Sequence, residues 1–371
     1  AEDGIRDLVR SRGLGDVYKR QDNNLIFTGH YWEHEWPRPR INPDNMALYA
    51  YAHMPGIDML MNDWSLEPHA QFGNARAVKE LRSVANQLGR KRTLSETYGA
   101  GGWDMTFFDQ KRIGDWEYAL GVNFLNQHLS YVSIKGARKR DHPLSFSYHE
   151  PWWHAYPVLA DYFARLSVAM SSGVQINRVL VIEPTTSAWM YYSPAASSDR
   201  LESLGNEFQD FVHDLEAEQI EYDLGSEEIL LRHGSVDNNT LAVGACSYDL
   251  VVLPPGLGNL NSNTIMLLEK FLAENGKIIC WKKAPEYLDG MQSDRATELA
   301  SQYGSNWFQV DSEEGWNKIR DLCPQGIVFR ADVEDQGRLF HHRRRLQDAE
   351  LVFLVNSSDR EEYSGSFTAE G

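Results

Sequence analysis

Four short apolar runs alternate with helix-length stretches between residues 23 and 173, and this alternation constrains the fold more than any other feature of the chain. The runs are LIFTGHY from residue 25, IDMLMND from 57, KRTLSETYG from 91 and NFLNQH from 123. Helical patterns fill the intervals. DNMALYAYAHM from residue 44 opens on Pro43 and Asp44, and NARAVKELRSVANQLG from 74 ends towards Gly89. TFFDQKRIGDWEYAL follows from 106, and PVLADYFARLSVAMSSG from 157 closes at Gly173. A long polar, aromatic loop spans 129–155. Strands that alternate with helices imply βα units and a parallel sheet, hence an α/β fold. Polar residues stand just past each strand: His30, Glu33 and Glu35, then Asn62 and Asp63, then Glu96, then Asn126 and His128. In a (β/α)8 barrel of the TIM type, the C-terminal strand ends carry the chemistry. A whole barrel takes roughly 250 residues, so residues 22–173 are expected to be its C-terminal half, strands five to eight.

Residues 174–330 carry a second set of signals. RVLVIEP from 178, DLVVLPPG from 249 and KIICW from 277 are buried strands, with helices from 200 and 263 between them. This pattern predicts a doubly wound, flavodoxin-like domain. No G-x-G-x-x-G follows its first strand, so a dinucleotide fingerprint is lacking and no organic cofactor is expected. Residues 331–371 read as the start of a truncated β-domain. At the other end, AEDGIRDLVRSRGLGDVYKRQ, residues 1–21, resembles a translated sequencing adapter of the kind found in assembled metagenomic reads. It is expected to be non-native.

The net charge of −17 argues against nucleic-acid binding, because an acidic surface repels phosphate. No apolar run reaches eighteen residues, so membrane insertion is not expected. The three cysteines, Cys246, Cys280 and Cys323, form no C-x-x-C pair and suggest neither a disulfide framework nor a zinc knuckle. The segment around Cys246, GACSYD, has no nucleophile elbow and reads as a structural thiol. Oligomeric state is not legible.

A dense set of motifs carries a family resemblance: TGHYWEHEWP at 28–37, QFGN at 71–74, LSETYGAGGWD at 94–104, GDWEYALGVNFLNQHLSY at 114–131, KGARKRDHPLSFSYHEPWW at 135–153 and VIEPTTSAWMYY at 181–192. Together they resemble the α-L-rhamnosidases of glycoside hydrolase family 106, over about residues 23–200. The resemblance implies cleavage of terminal α-L-rhamnose with inversion, dependence on calcium, a carbohydrate substrate and a periplasmic or extracellular bacterial setting. A different sugar specificity on a similar barrel, as in β-galactosidases, is the main alternative. A non-catalytic carbohydrate-binding protein is another.

Inverting hydrolysis uses two carboxyl groups roughly 6.5–9.5 Å apart, one protonated and one ionised. Glu96, at the apolar-to-polar switch of its strand, is the first candidate. Glu33 and Glu35 are two apart, and on extended backbone they face the same way, suited to a water or a calcium ion. The general acid is expected from this pair or from a strand upstream of the chain. Candidates for gripping the sugar are His30, His34, Asp63, Tyr98, Asn126, His128, His149, Trp152 and Trp153. His30 and His34 have an H-x-x-x-H spacing, but on a strand or loop the helical zinc argument fails and no third ligand is evident, so they read as hydroxyl contacts. Arg138, Lys139 and Arg140 form a basic run that either meets acidic sugars or is simply solvated. As it stands, the chain is expected to be inactive and unstable, with open sheet edges and uncovered apolar helix faces.

Overall fold

In a computed structural model, residues 23–137, 147–335 and 337–369 are described. The expected adapter segment and the Arg138–Arg140 run lie outside them. Four strands form a parallel sheet in simple sequential order: β1 (Thr28–His30), β2 (Met54–Met59), β3 (Leu94–Thr97) and β4 (Phe124–Gln127). Helix α1 (Asn45–Tyr49) precedes β2, α2 (Ala75–Gln87) precedes β3, α3 (Phe107–Leu120) precedes β4, and α4 (Pro157–Ser171) follows. The helix starts follow local chemistry. Asp44 and Asn74 accept hydrogen bonds from the backbone N–H groups of Ala47 and Ala77, and Thr106 forms a reciprocal capping box with Asp109.

Register decides which side chains share a face. Gly56, Leu94 and Phe124 are aligned across β2, β3 and β4, and so are Asp58, Glu96 and Asn126. Side chains alternate along a strand, so both rows point to one face. That face is open towards the edge strand β4, where Phe124 is 41 % exposed. Ile57, Met59, Ser95 and Thr97 point to the opposite face and are buried.

A second parallel sheet has five strands. Taken in chain order, β6 (Val179–Ile182), β7 (Tyr222–Gly225), β8 (Leu250–Leu253), β9 (Lys277–Trp281) and β10 (Trp307–Val310) are arranged 2-1-3-4-5, the order of flavodoxin-like doubly wound folds. The strands at 222–225 and 307–310 carry Tyr, Asp, Gly and Gln and gave no apolar run in the sequence. Two antiparallel pairs follow. One joins β11 (Ile327–Ala331) to β14 (Gly365–Ala369), and the other joins β12 (Leu339–Arg345) to β13 (Glu350–Asn356). The short β5 (Val174–Gln175) pairs with β12 rather than with the five-stranded sheet.

Helix α2 ties the two parallel sheets together, and its polar residues are buried as deeply as its apolar ones. Arg76, Glu80, Ser83 and Gln87 are each 0 % exposed. Ser83 accepts from the backbone N–H of Leu224 at 2.8 Å, Gln87 donates to the Leu224 carbonyl at 2.8 Å, and Asn86 donates to Asp223 at 2.9 Å. Lys79 lies 3.5 Å from Glu216. Buried polar groups require partners, and the second unit supplies them. Among the described residues, no helix is long and apolar enough to cross a membrane.

Candidate active site

The open face of the first sheet gathers a compact polar group at its C-terminal edge. Glu96 sits on β3 and its carboxylate lies between two imidazoles. Nε2 of His30, at the end of β1, is 3.0 Å from Oε2 of Glu96 and 4.0 Å from Asp58. Nε2 of His128, just past β4, is 3.6 Å from Oε1. Glu96 keeps 23 % side-chain exposure, so a solute can reach it. A Cβ at Gly99 would lie 2.6 Å from the His128 ring, so this glycine makes room for the imidazole. Asn126 is exposed beside Glu96 in the same register row. Four strands thus bring His30, Asp58, Glu96, Asn126 and His128 to one surface.

The other sequence candidates fall differently. Glu33 and Glu35 are not on extended backbone: residues 33–35 form a 3-10 turn, which has three residues per turn and cannot put i and i+2 on one side. Glu33 is buried, accepts a hydrogen bond from Tyr49 Oη at 2.7 Å, and is pushed up to about 8, chiefly by burial. It is therefore held protonated at neutral pH. Glu35 lines an outer groove with Arg38 and Arg40. His34 makes its contacts with Trp32 and His69. Its carbonyl accepts from His69 Nδ1 at 2.6 Å, its ring is 5.3 Å from that of Trp32, and burial lowers its pKa. Tyr98 follows Glu96 with a left-handed φ of 71°, which turns its ring into the core, where the hydroxyl donates to the Gln110 carbonyl at 2.5 Å. It is fully buried and does not line the open face. Asp63 is exposed in a loop past β2, because that strand spans 54–59 instead of running on from 57.

The aromatic loop residues mostly pack on one another. Trp152 lies 5.2 Å from Phe107, and Trp153 stacks on Tyr156 at 5.5 Å and 14°. His149 Nε2 approaches the carbonyls of Tyr131 and Val132 at 3.1 and 3.2 Å. Trp153 retains 40 % exposure.

Two groups escaped the sequence reading. Asp58 stood inside an apolar run, and its lone charge was the available signal. Glu117 lies behind β3 on α3, accepts from Ser95 Oγ at 2.6 Å, and is raised by burial to about 8. Cys246 is also raised, to about 12, by burial, which suits a structural thiol.

Among the described residues, His30, Asp58 and Glu96 place one ligand atom each within 4.8 Å of one another. Calcium prefers six to eight oxygens, and imidazole suits softer ions. Two carboxylates and a nitrogen do not fit calcium.

Comparison with known proteins then bears on the fold. The architecture is shared with sugar-cleaving enzymes. A rhamnosidase from Novosphingobium sp. PP1Y superposes with a TM-score of 0.64 at 18 % identity, over 94 % of this chain and 33 % of that one. Gan42B, a GH42 β-galactosidase, gives 0.61 at 10 % identity, over 94 % and 60 %. An apo exo-carrageenase GH42 from Bacteroides ovatus gives 0.59 at 15 %, over 90 % and 46 %. A curated protein of Formosa agariphila, named "Putative beta-glucuronidase", is 23 % identical over 297 residues, 75 % of this chain and 23 % of its own length. No family model matches. The chain thus spans a quarter to three fifths of these relatives.

Proposed function

We propose that the chain is the Glu96-bearing part of a glycoside hydrolase, and that the four-stranded sheet is half of its catalytic barrel. The observation that carries this reading is a reachable carboxylate at the C-terminal edge of a central parallel strand, flanked by His30 and His128. This is where barrel enzymes place their chemistry. Glu96 acts as the ionised carboxylate that positions or deprotonates the attacking water. His30 hydrogen-bonds one of its oxygens and His128 stands beside the other, fixing the carboxylate plane. Asn126 and the exposed face of Phe124, which share the strand beside Glu96, offer hydroxyl and ring contacts to a sugar.

The partner acid is not Asp58. Its nearest oxygen is within 4.8 Å of Glu96, closer than the roughly 6.5–9.5 Å of an inverting pair. Glu33 has the elevated pKa of an acid, but it is turned into Tyr49. The acid then comes from a longer polypeptide of which this chain is part, and the chain alone is inactive.

The sugar is proposed to be a terminal α-L-rhamnosyl residue, supported by the sequence motifs and by the rhamnosidase likeness. The GH42 likenesses favour a galactoside as the second reading. The experiment is a panel of aryl α-L-rhamnosides, β-galactosides and β-glucuronides offered to the longer polypeptide, with and without calcium. Release of the rhamnoside aglycone alone supports the first reading. Release from galactoside alone replaces it. Sugar binding without turnover of any substrate removes the enzyme reading.

A further inference from the structure

Strand β12 presents cationic side chains to both of its faces, and the two faces are treated differently. On one, Arg343 donates to both oxygens of Glu221 at 2.7 and 2.6 Å and to Glu350 at 3.1 Å. Each charge there has its opposite. On the other face, His342 and Arg344 meet only neutral acceptors. Arg344 donates to the carbonyls of Ser172 and Gly173 at 2.6 and 2.9 Å, and its third nitrogen lies 3.2 Å from His342 Nε2. His342 Nδ1 is 3.0 Å from the Tyr118 carbonyl.

A second guanidinium enters the same place from α2. Arg82 Nε donates to Gln175 Oε1 at 2.8 Å, and Gln175 is the cross-strand partner of Arg344. Its Nη1 is buried and has no partner among the described residues. Arg82 and Arg344 are each 3 % exposed and His342 is 1 % exposed. The arrangement is built: a Cβ at Gly121, which has φ of 129°, would lie 2.3 Å from Cγ of Arg82. The neighbouring carboxylate, Asp223, already accepts from Asn177 at 2.7 Å, Asn86 at 2.9 Å and Tyr248 at 2.9 Å. Burial, and for Arg344 the nearby Arg82 charge, lowers Arg82 to about 10 and Arg344 to about 9. Both remain charged at neutral pH, and a buried cation without a counter-charge is strongly unfavourable.

We propose that Arg82 and Arg344 hold a buried monovalent anion of chloride size where α2, β5 and β12 meet. The nearby Lys79 is paired with Glu216 at 3.5 Å, so the excess is two guanidiniums against Asp223, and a single negative charge balances it. The carbonyls of Ser172, Gly173 and Tyr118 line the same spot and disfavour a divalent oxyanion.

The test is thermal unfolding of the whole chain at fixed ionic strength, with chloride exchanged for gluconate, together with a bromide soak of crystals read by anomalous scattering. A ligand that binds only the folded state raises the midpoint with its concentration. A hundredfold rise in chloride is expected to raise it by several degrees, on the order of 5 °C. A bromide peak is expected between Arg82 and Arg344. Arg344→Gln removes the excess charge and abolishes the chloride dependence, whereas Arg343→Gln lowers the midpoint but keeps that dependence. If Arg344→Gln does not fold, the bromide map of the unaltered protein decides alone. No peak at these arginines, a chloride response retained in Arg344→Gln, or stabilisation by sulfate at matched ionic strength but not by chloride overturns the proposal.

Discussion

The C-terminal edges of the two parallel sheets are opposite in character. At the edge of the first sheet, His30, Asp58, Glu96 and Asn126 face outward and keep exposed polar atoms. At the second, the crevice between β6 and β8 is the switch point where doubly wound proteins bind ligands. Here it is filled by the protein itself. Ser187 Oγ accepts from the backbone N–H groups of Gly258 and Asn259 at 3.0 Å each, Asn259 donates to Thr186 at 3.0 Å, and Thr186 donates to Glu227 at 2.6 Å. A fold's habitual binding position is functional only where polar groups are left unspent. The first edge meets that condition; the second pairs Ser187, Thr186, Asn259 and Glu227 across the crevice but keeps an open cleft beside it, lined by Tyr191, Arg200, Gly256 and Lys282.

Substitutions separate the two edges. The largest expected effect is Glu96→Gln in the active polypeptide: kcat falls by about 10²–10⁴-fold, as for loss of a positioned acid or base, with the unfolding midpoint unchanged. Near-normal turnover in steady-state assays would end the claim that the first edge is catalytic. Next, His30→Gln weakens a hydrogen bond to a carboxylate and lowers kcat/KM by roughly 10- to 100-fold, in line with about 1.5–3 kcal/mol for such bonds. Asn259→Ala, in the closed crevice, does the reverse. It costs about 1–3 kcal/mol of stability by stranding buried partners and leaves kcat/KM alone. A drop in activity without a drop in denaturation midpoint there would show that the crevice is not merely structural.

The last contrast concerns pH. Glu33 and Glu117 both have folded values of about 8, raised from 4.5. The folded state therefore holds protons that the unfolded chain has released. Their contribution is complete below about pH 4.5 and is lost as pH rises through about 8. Glu33→Gln and Glu117→Gln, compared by denaturant melts at pH 5 and pH 8, are expected to flatten that decline. Parallel curves for wild type and variants would remove both carboxyls from the account.

The sequence made the alternation of strands and helices legible, and with it the parallel sheets and the position of Glu96. Apolar periodicity and strand-end polarity are local signals, and both survive folding. Asp58 was missed because β2 begins at Met54, three residues before the run that suggested it, which moves the strand end from Asp63. Glu33 and Glu35 were misread because alternation was assumed where the backbone turns. Tyr98 was misplaced by a single left-handed residue. The burial of Arg76 and Gln87 was invisible, because a polar helix face looks solvated until another unit packs on it.

Helix α2 serves as a keystone: its polar side satisfies hydrogen bonds in the five-stranded unit, through Leu224 and Asp223. A chimera that exchanged residues 174–330 for those of a distant homologue would inherit unmatched donors along the helix unless α2 travelled with them. The heritable module is the doubly wound unit, residues 174–330, together with helix α2, Ala75–Gln87, well upstream of it in the chain.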